Sequence, residues 1–212
     1  MPDLDTFSPA RLAVGFDLDL TLADTRRGIG ATFAALTAET GVHIDVPTVI
    51  GRLGPPLEQE LGYWFPAERI TAVAARYRAM YGDIAVPATT AMPGAPEAVE
   101  AVRARGGRVV VVTAKSERLA EATVERLGLP VDEVVGGLYG TGKAVALREH
   151  GVGVYVGDHT ADVDAARAAG AYSVAVATGP FDAAALRAYG ADVVLDDLAA
   201  FPGWLGRHRP AA

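Results

Sequence analysis

Residues Leu12-Ala13-Val14-Gly15-Phe16 carry no polar side chain, and the first charges after them, Asp17 and Asp19, fall where the run stops. An unbroken apolar run of this kind fits a strand covered by helices on both faces. Ile29, Phe33 and Leu36 then recur at helical spacing, which predicts a helix over 26–40 that stops at Gly41. Pro47, Gly51, Gly54, Pro55 and Pro56 predict a loop, followed by a short helix over 57–63. A clearer helix over 67–81 places Ile70, Val73, Ala74, Tyr77 and Tyr81 on one face. Residues 25–86 thus read as helices without a strand.

Val86 to Gly94 read as a linker, and beyond it the period alternates between 2 and 3.6. Strands are expected at 108–113, 133–135, 152–156, 172–176 and 193–195, with helices at 95–105, 116–127, 142–150, 160–169 and 182–189 between them. Strand and helix in alternation imply a parallel sheet with helices on both faces. The expected architecture is an α/β doubly wound, Rossmann-like core made of 1–24 and 87–212, with an all-helical domain, 25–86, inserted after the first strand. The tail beyond Arg207 is expected to be loose.

Composition narrows the function classes. The chain has 212 residues, half of them hydrophobic, which suits a globular protein with a sizeable core. A net charge of −7 argues against a nucleic-acid or anionic-membrane partner. With no cysteine, disulfides, thiolate metal sites and cysteine nucleophiles are excluded. The N-terminus lacks a basic region with an apolar core, and no apolar run reaches a membrane span, so a cytoplasmic monomer or homodimer is expected. Of the 19 basic residues only Lys115 and Lys143 are lysines, so a lysine at a motif position carries more weight than an arginine.

The chemistry concentrates at strand ends, where ligand crevices of open α/β sheets lie. Asp17 and Asp19 repel each other there and call for a cation. Thr113-Ala114 ends the second core strand before a helix start, a place where a hydroxyl and free amides favour an anion; the alternative is that Thr113 or Ser116 caps the following helix. Lys143 opens another helix, 15 residues ahead of Asp158. Gly137 to Lys143 fits Gly-x-x-x-x-Gly-Lys, but Ala144 stands where a nucleotide-binding loop needs a hydroxyl for magnesium. Gly157-Asp158, with Asp162 beyond, repeats the opening pattern of apolar strand followed by carboxylates, and hard oxygen donors suit Mg²⁺. His159, Asp164 and His43 read as loop or exposed polar positions.

Asp17-Leu18-Asp19-Leu20-Thr21, Thr113, Lys143 and Gly157-Asp158 with Asp162 resemble, in order and position, the four motifs of the haloacid dehalogenase superfamily. The resemblance covers nearly the whole chain, since first-cap-type members carry a helical cap after the first strand. It implies a phosphatase acting on a small phosphorylated metabolite, with a phosphoglycolate-type monoester favoured. Asp17 would be the nucleophile that forms an aspartyl-phosphate, and Asp19 the general acid and base. Thr113, Ala114 and Lys143 would hold the phosphoryl oxygens. Mg²⁺ would be held by Asp17, Asp158 and the backbone carbonyl of Asp19, with Asp162 steadying its water shell.

Asp19 favours phosphate chemistry, since the dehalogenases lack the second acid. Residues 25–86 contain no lysine for the Schiff base of phosphonate hydrolases. A sugar phosphomutase, or a non-catalytic regulatory member, stands as the alternative. The loop Val49 to Leu57 resembles that of phosphoglycolate-phosphatase-like members, where Arg52 could reach a substrate carboxylate or second phosphate; the opposing reading is a surface arginine.

Overall fold

A computed structural model describes residues 12–208. The sequence expectations for the extreme N-terminus and for the tail past His208 lie outside the described residues. Strand β1 (Ala13–Phe16) is followed by the two-residue β2 (Ala23–Asp24). Four helices come next: α1 (Arg26–Thr40), α2 (Val46–Ile50), α3 (Leu57–Leu61) and α4 (Ala67–Ala88). The chain returns through β3 (Thr90–Ala91), which pairs antiparallel with β2. The remainder alternates: α5 (Ala95–Arg103), β4 (Arg108–Val112), α6 (Glu117–Leu127), β5 (Glu133–Val135), α7 (Lys143–Glu149), β6 (Val154–Gly157), α8 (Thr160–Ala169), β7 (Tyr172–Val176), α9 (Ala183–Tyr189), β8 (Val193–Leu195) and α10 (Phe201–Arg207).

The six long strands form one parallel sheet in the order β5-β4-β1-β6-β7-β8. Alternation along the strands divides its two faces. Val14, Phe16, Val109, Val111, Val154 and Val156 join a core closed by α5, α6 and α10. Val110, Val112 and Tyr155 face the other way, against Ala146 and Leu147 of α7 and Ala165 and Ala166 of α8. Burial on both faces explains why these strands are apolar throughout. Helices α1–α4 form a separate layer around Ile29, Phe33, Leu36, Leu61, Tyr77 and Tyr81.

The departures from the sequence expectations involve proline and glycine. The loop expected over Pro47 holds α2, because Asp45 caps it through Thr48 N and proline is tolerated in a first helical turn. Helix α4 runs through Pro87, where a linker was expected. Only Ala88 follows Pro87 in the helix, and the last turn closes with the Thr89 hydroxyl donating to Ala85 O and the Thr89 amide to Val86 O. Helix α10 was not anticipated, since Pro202, Gly203 and Gly206 mask it; Pro202 again lies in the first turn.

Candidate active site

The site is built where β1 and β6 end. Phe16 is in register with Val156, and the Asp17 amide still donates to Val156 O at 2.8 Å, so pairing carries past the strand before the chain turns. Asp17, Asp158 and Asp162 are all buried, and one carboxylate oxygen from each lies within 4.8 Å of the others. Lys143, 2% exposed, reaches this cluster from the first turn of α7. Its Nζ lies 2.8 Å from Asp162 Oδ1 and 3.2 Å from Asp17 Oδ1, and it donates to the Tyr155 hydroxyl at 2.8 Å. The Tyr155 hydroxyl in turn donates to Val112 O at 2.7 Å.

Tyr155 can lie there because β1 offers no side chain opposite. A Cβ on Gly15 would come within 2.8 Å of the Tyr155 ring, so glycine is what opens the path of the phenol toward Lys143. A second clamp comes from the loop after β7. Thr178 donates to Leu20 O at 2.6 Å, and a Cβ on Gly179 would fall 1.9 Å from Asp158 Oδ2. Leu20 itself has φ +59°, a left-handed conformation unusual for leucine and of the kind that concentrates at functional turns. Thr21, one residue on, donates to Asp158 Oδ1 at 2.7 Å.

Electrostatically the cluster is short of positive charge. Burial raises the Asp17 carboxyl to about 6; Lys143 opposes the shift, while Asp162 and Asp19 add to it. Burial, then Asp17 and Asp162, push Asp158 well above the carboxylate range. Burial works against the charge of Lys143, yet Asp162 and Asp17 more than offset it and hold the ammonium above its ordinary value. Asp17 Oδ1 is buried with no hydrogen bond, because Lys143 directs its own to Tyr155 and Asp162. Three buried carboxylates facing one ammonium, all with hard oxygen donors, fit a divalent cation such as Mg²⁺.

Asp19 stands apart from that cluster. Its side chain turns toward Lys115, whose Nζ is 2.9 Å away and also donates to the Tyr81 hydroxyl of α4 at 2.7 Å. Thr113 is buried at the end of β4, and its hydroxyl accepts from the Lys115 amide at 3.3 Å. Ser116 occupies the N-cap of α6 without a side-chain capping bond, so the capping alternative is not realised there. Arg52 lines the same cavity as Asp17, Asp19, Thr113, Ala114 and Lys115.

His159 is more than a loop residue. Its Nδ1 accepts from Ala161 N at 3.0 Å, its amide donates to Asp162, and its ring lies against Phe181 and against Gly54 of the α2–α3 loop. Asp164 is bound at the surface by Arg167 and Tyr189. The sequence reading did not single out Tyr155, Lys115, Thr178 or Gly179. The scarcity of lysine pointed at Lys115, and Thr178-Gly179 occupy the same strand-end position as the known motifs.

The parallel sheet, with its carboxylate cluster and lysine at the strand ends, is a doubly wound α/β core with one site at its carboxyl edge. The sequence profile of the haloacid dehalogenase-like hydrolases matches residues 14–167, and a second hydrolase-like profile matches 143–201. The chain belongs to the haloacid dehalogenase-like hydrolase family. It is 29% identical over 221 residues to a phosphoglycolate phosphatase of Chromobacterium violaceum, with 88% of this chain and 93% of that one covered. It is also 29% identical over 180 residues to a tyrosine-protein kinase of Mycobacterium tuberculosis, covering 77% and 61%. The chain spans only 53–61% of the length of the first curated relatives it matches. In fold it is similar to a haloacid dehalogenase-like hydrolase of Streptococcus pneumoniae, with a TM-score of 0.81 at 24% identity over 92% of this chain and 99% of that one. Among the described residues no helix is long and apolar enough to cross a membrane.

Proposed function

We propose that the chain is a Mg²⁺-dependent phosphatase that hydrolyses a small phosphorylated metabolite through Asp17. The observation that carries this reading is the buried Asp17, Asp158 and Asp162 cluster facing Lys143 at adjacent strand ends. Asp17 attacks phosphorus and the ester oxygen leaves with a proton from Asp19. Water, losing its proton to Asp19, then cleaves the acyl phosphate and frees inorganic phosphate. Asp17 and Asp158, with the backbone carbonyl of Asp19, would hold the metal, and Asp162 would orient its surroundings. Bound Mg²⁺ would neutralise carboxylates and phosphoryl oxygens that Lys143 alone cannot balance. Thr113, the Ala114 amide and Lys143 grip the phosphoryl oxygens, where most of the stabilisation lies.

We further propose that 25–86 act as a cap over Asp17, with the β2–β3 ribbon as its hinge region. The cavity under that layer, about 100 Å³, has room for a small leaving group. Relatives named for phosphoglycolate make 2-phosphoglycolate the reference ester. The test is phosphate release across a panel of esters with Mg²⁺, with chelator, and with Asp17→Asn. Release that needs Mg²⁺ and disappears in Asp17→Asn is expected; release that survives in Asp17→Asn removes the nucleophile assignment. A phosphomutase would instead interconvert isomers without net release.

A further inference from the structure

The cavity walls bear on which alcohol carries the phosphoryl group. Ile29, Phe33, Val49, Leu57, Tyr77 and Leu119 make much of its surface apolar. The cations among its lining residues are Arg52, Arg78 and Lys115, and each already faces a carboxylate. Arg52 Nε and Nη2 donate to the two oxygens of Glu60 at 3.1 and 2.6 Å. Glu60 is held from its other side by Trp64 Nε1 at 2.8 Å, and the Tyr63 ring lies 4.2 Å from the Arg52 guanidinium. Arg78 lies 2.7 Å from Glu58, and Lys115 lies 2.9 Å from Asp19.

A substrate carboxylate entering this space would meet no uncommitted cation. It would have to desolvate without a partner, or draw a cation away and strand Glu60 or Asp19. A neutral group pays neither cost. Neutral polar side chains also line the space, Ser116, which makes no capping bond, and Tyr77, buried beside Phe33 and Tyr81. Size sets a second limit. The space, about 100 Å³, is smaller than the dry cavity of about 150 Å³ that takes a benzene ring, and Asp17 and Thr113 of the phosphoryl site line part of it.

We infer that the leaving alcohol of this enzyme's substrate is small, uncharged and largely apolar, and that carboxylate-bearing esters such as 2-phosphoglycolate are poor substrates. The inference rests on the phosphatase reading and narrows it.

Isobutyl phosphate and 2-phosphoglycolate have nearly the same shape and differ in the charge of the leaving group, so their ratio of kcat/KM isolates the term in question. The wild-type protein is expected to favour isobutyl phosphate by about tenfold or more. Glu60→Gln, which releases Arg52, is expected to move the ratio by about tenfold toward 2-phosphoglycolate. A wild-type preference for 2-phosphoglycolate overturns the inference while leaving the phosphatase intact. An unmoved ratio in a folded Glu60→Gln overturns the account of why charge is refused. Silence on both esters and on p-nitrophenyl phosphate overturns the phosphatase reading and this inference with it. The wild-type ratio needs no variant, so it decides the matter even if Glu60→Gln fails to fold.

Discussion

At the strand ends three buried carboxylates share one ammonium, Lys143, whereas around the neighbouring cavity Arg52, Arg78 and Lys115 each have a carboxylate of their own. The first arrangement is deficient in positive charge and gains by admitting a cation together with a phosphoryl dianion. The second is balanced pair by pair and gains nothing from further charge. The difference follows from how the two sides are made. Parallel strands deliver Asp17 and Asp158 to one edge regardless of their mutual repulsion, while α4 and the α2–α3 loop set Arg78 and Arg52 against Glu58 and Glu60 of α3; Lys115 and Asp19 pair between two strand-end loops. On the function proposed above, binding of the phosphoryl group and selection of the alcohol fall to different residues.

The sharpest way to break this contrast is to remove the shared ammonium and then one that has a carboxylate to itself. Lys143→Met should lower kcat by about 10²–10³-fold, the scale for losing one preorganised charge at a reacting centre. It should also destabilise the metal-free protein by about 3–5 kcal/mol, since Asp162 and Asp17 lose their buried partner. Lys115→Met should cost about tenfold in kcat, acting through Asp19 and the Tyr81 contact. Steady-state rates with thermal melts test both. Equal losses in kcat would place Lys115 in the phosphoryl site and dissolve the contrast.

Protons sharpen the same contrast, because they can stand in for the missing cation. The folded value of Asp17, about 6, lies above its ordinary 3.8. The folded state therefore holds this proton more tightly than the unfolded chain. The stability it contributes to the metal-free protein is fully present below about pH 4 and is lost as pH rises through about 6. Mg²⁺ must displace that proton, so its affinity should rise by up to tenfold per pH unit as pH approaches about 6, and Asp158, raised further by burial, extends the rise. Mg²⁺ titrations and chelator-treated melts across this range should move in opposite directions with pH. A Mg²⁺ affinity that stays flat from about pH 5 to 8 would remove Asp17 from the ligands.

The sheet side of the molecule was far more legible in the sequence than the helical side. Apolar runs ending in Asp17, Thr113 and Asp158 mark strand ends by themselves, and α/β alternation brings those ends together. Lys143 was legible because lysine is rare here and its distance from Asp158 suits one helix and one strand. Tyr155 was hidden, since in an apolar strand an aromatic reads as core, and its hydroxyl matters only once Gly15 and Lys143 are across from it. Helices α2 and α10 were hidden by prolines that a first turn tolerates. The pairings of Arg52 with Glu60 and of Lys115 with Tyr81 depend on how separate elements face one another, for which no local pattern stands.

Tyr155 and Gly15 give the smallest expected effect and the most specific one. Tyr155→Phe removes the hydroxyl that accepts from Lys143 and donates to Val112 O, but leaves Lys143 its contacts with Asp162 and Asp17. A loss of about 1 kcal/mol in stability and a kcat lowered by about threefold to tenfold are expected, with little change in KM. Gly15→Ala keeps the hydroxyl yet drives a methyl against the ring, so it should cost about 1–3 kcal/mol. Combining the two substitutions leaves the ring clash in place, because phenylalanine fills the same space, so their stability effects should nearly add. Their kcat effects should not, since both act by letting Lys143 drift from the strand ends. Full additivity in kcat would mean that Tyr155 does not position Lys143, and that the ammonium is held by its carboxylates alone.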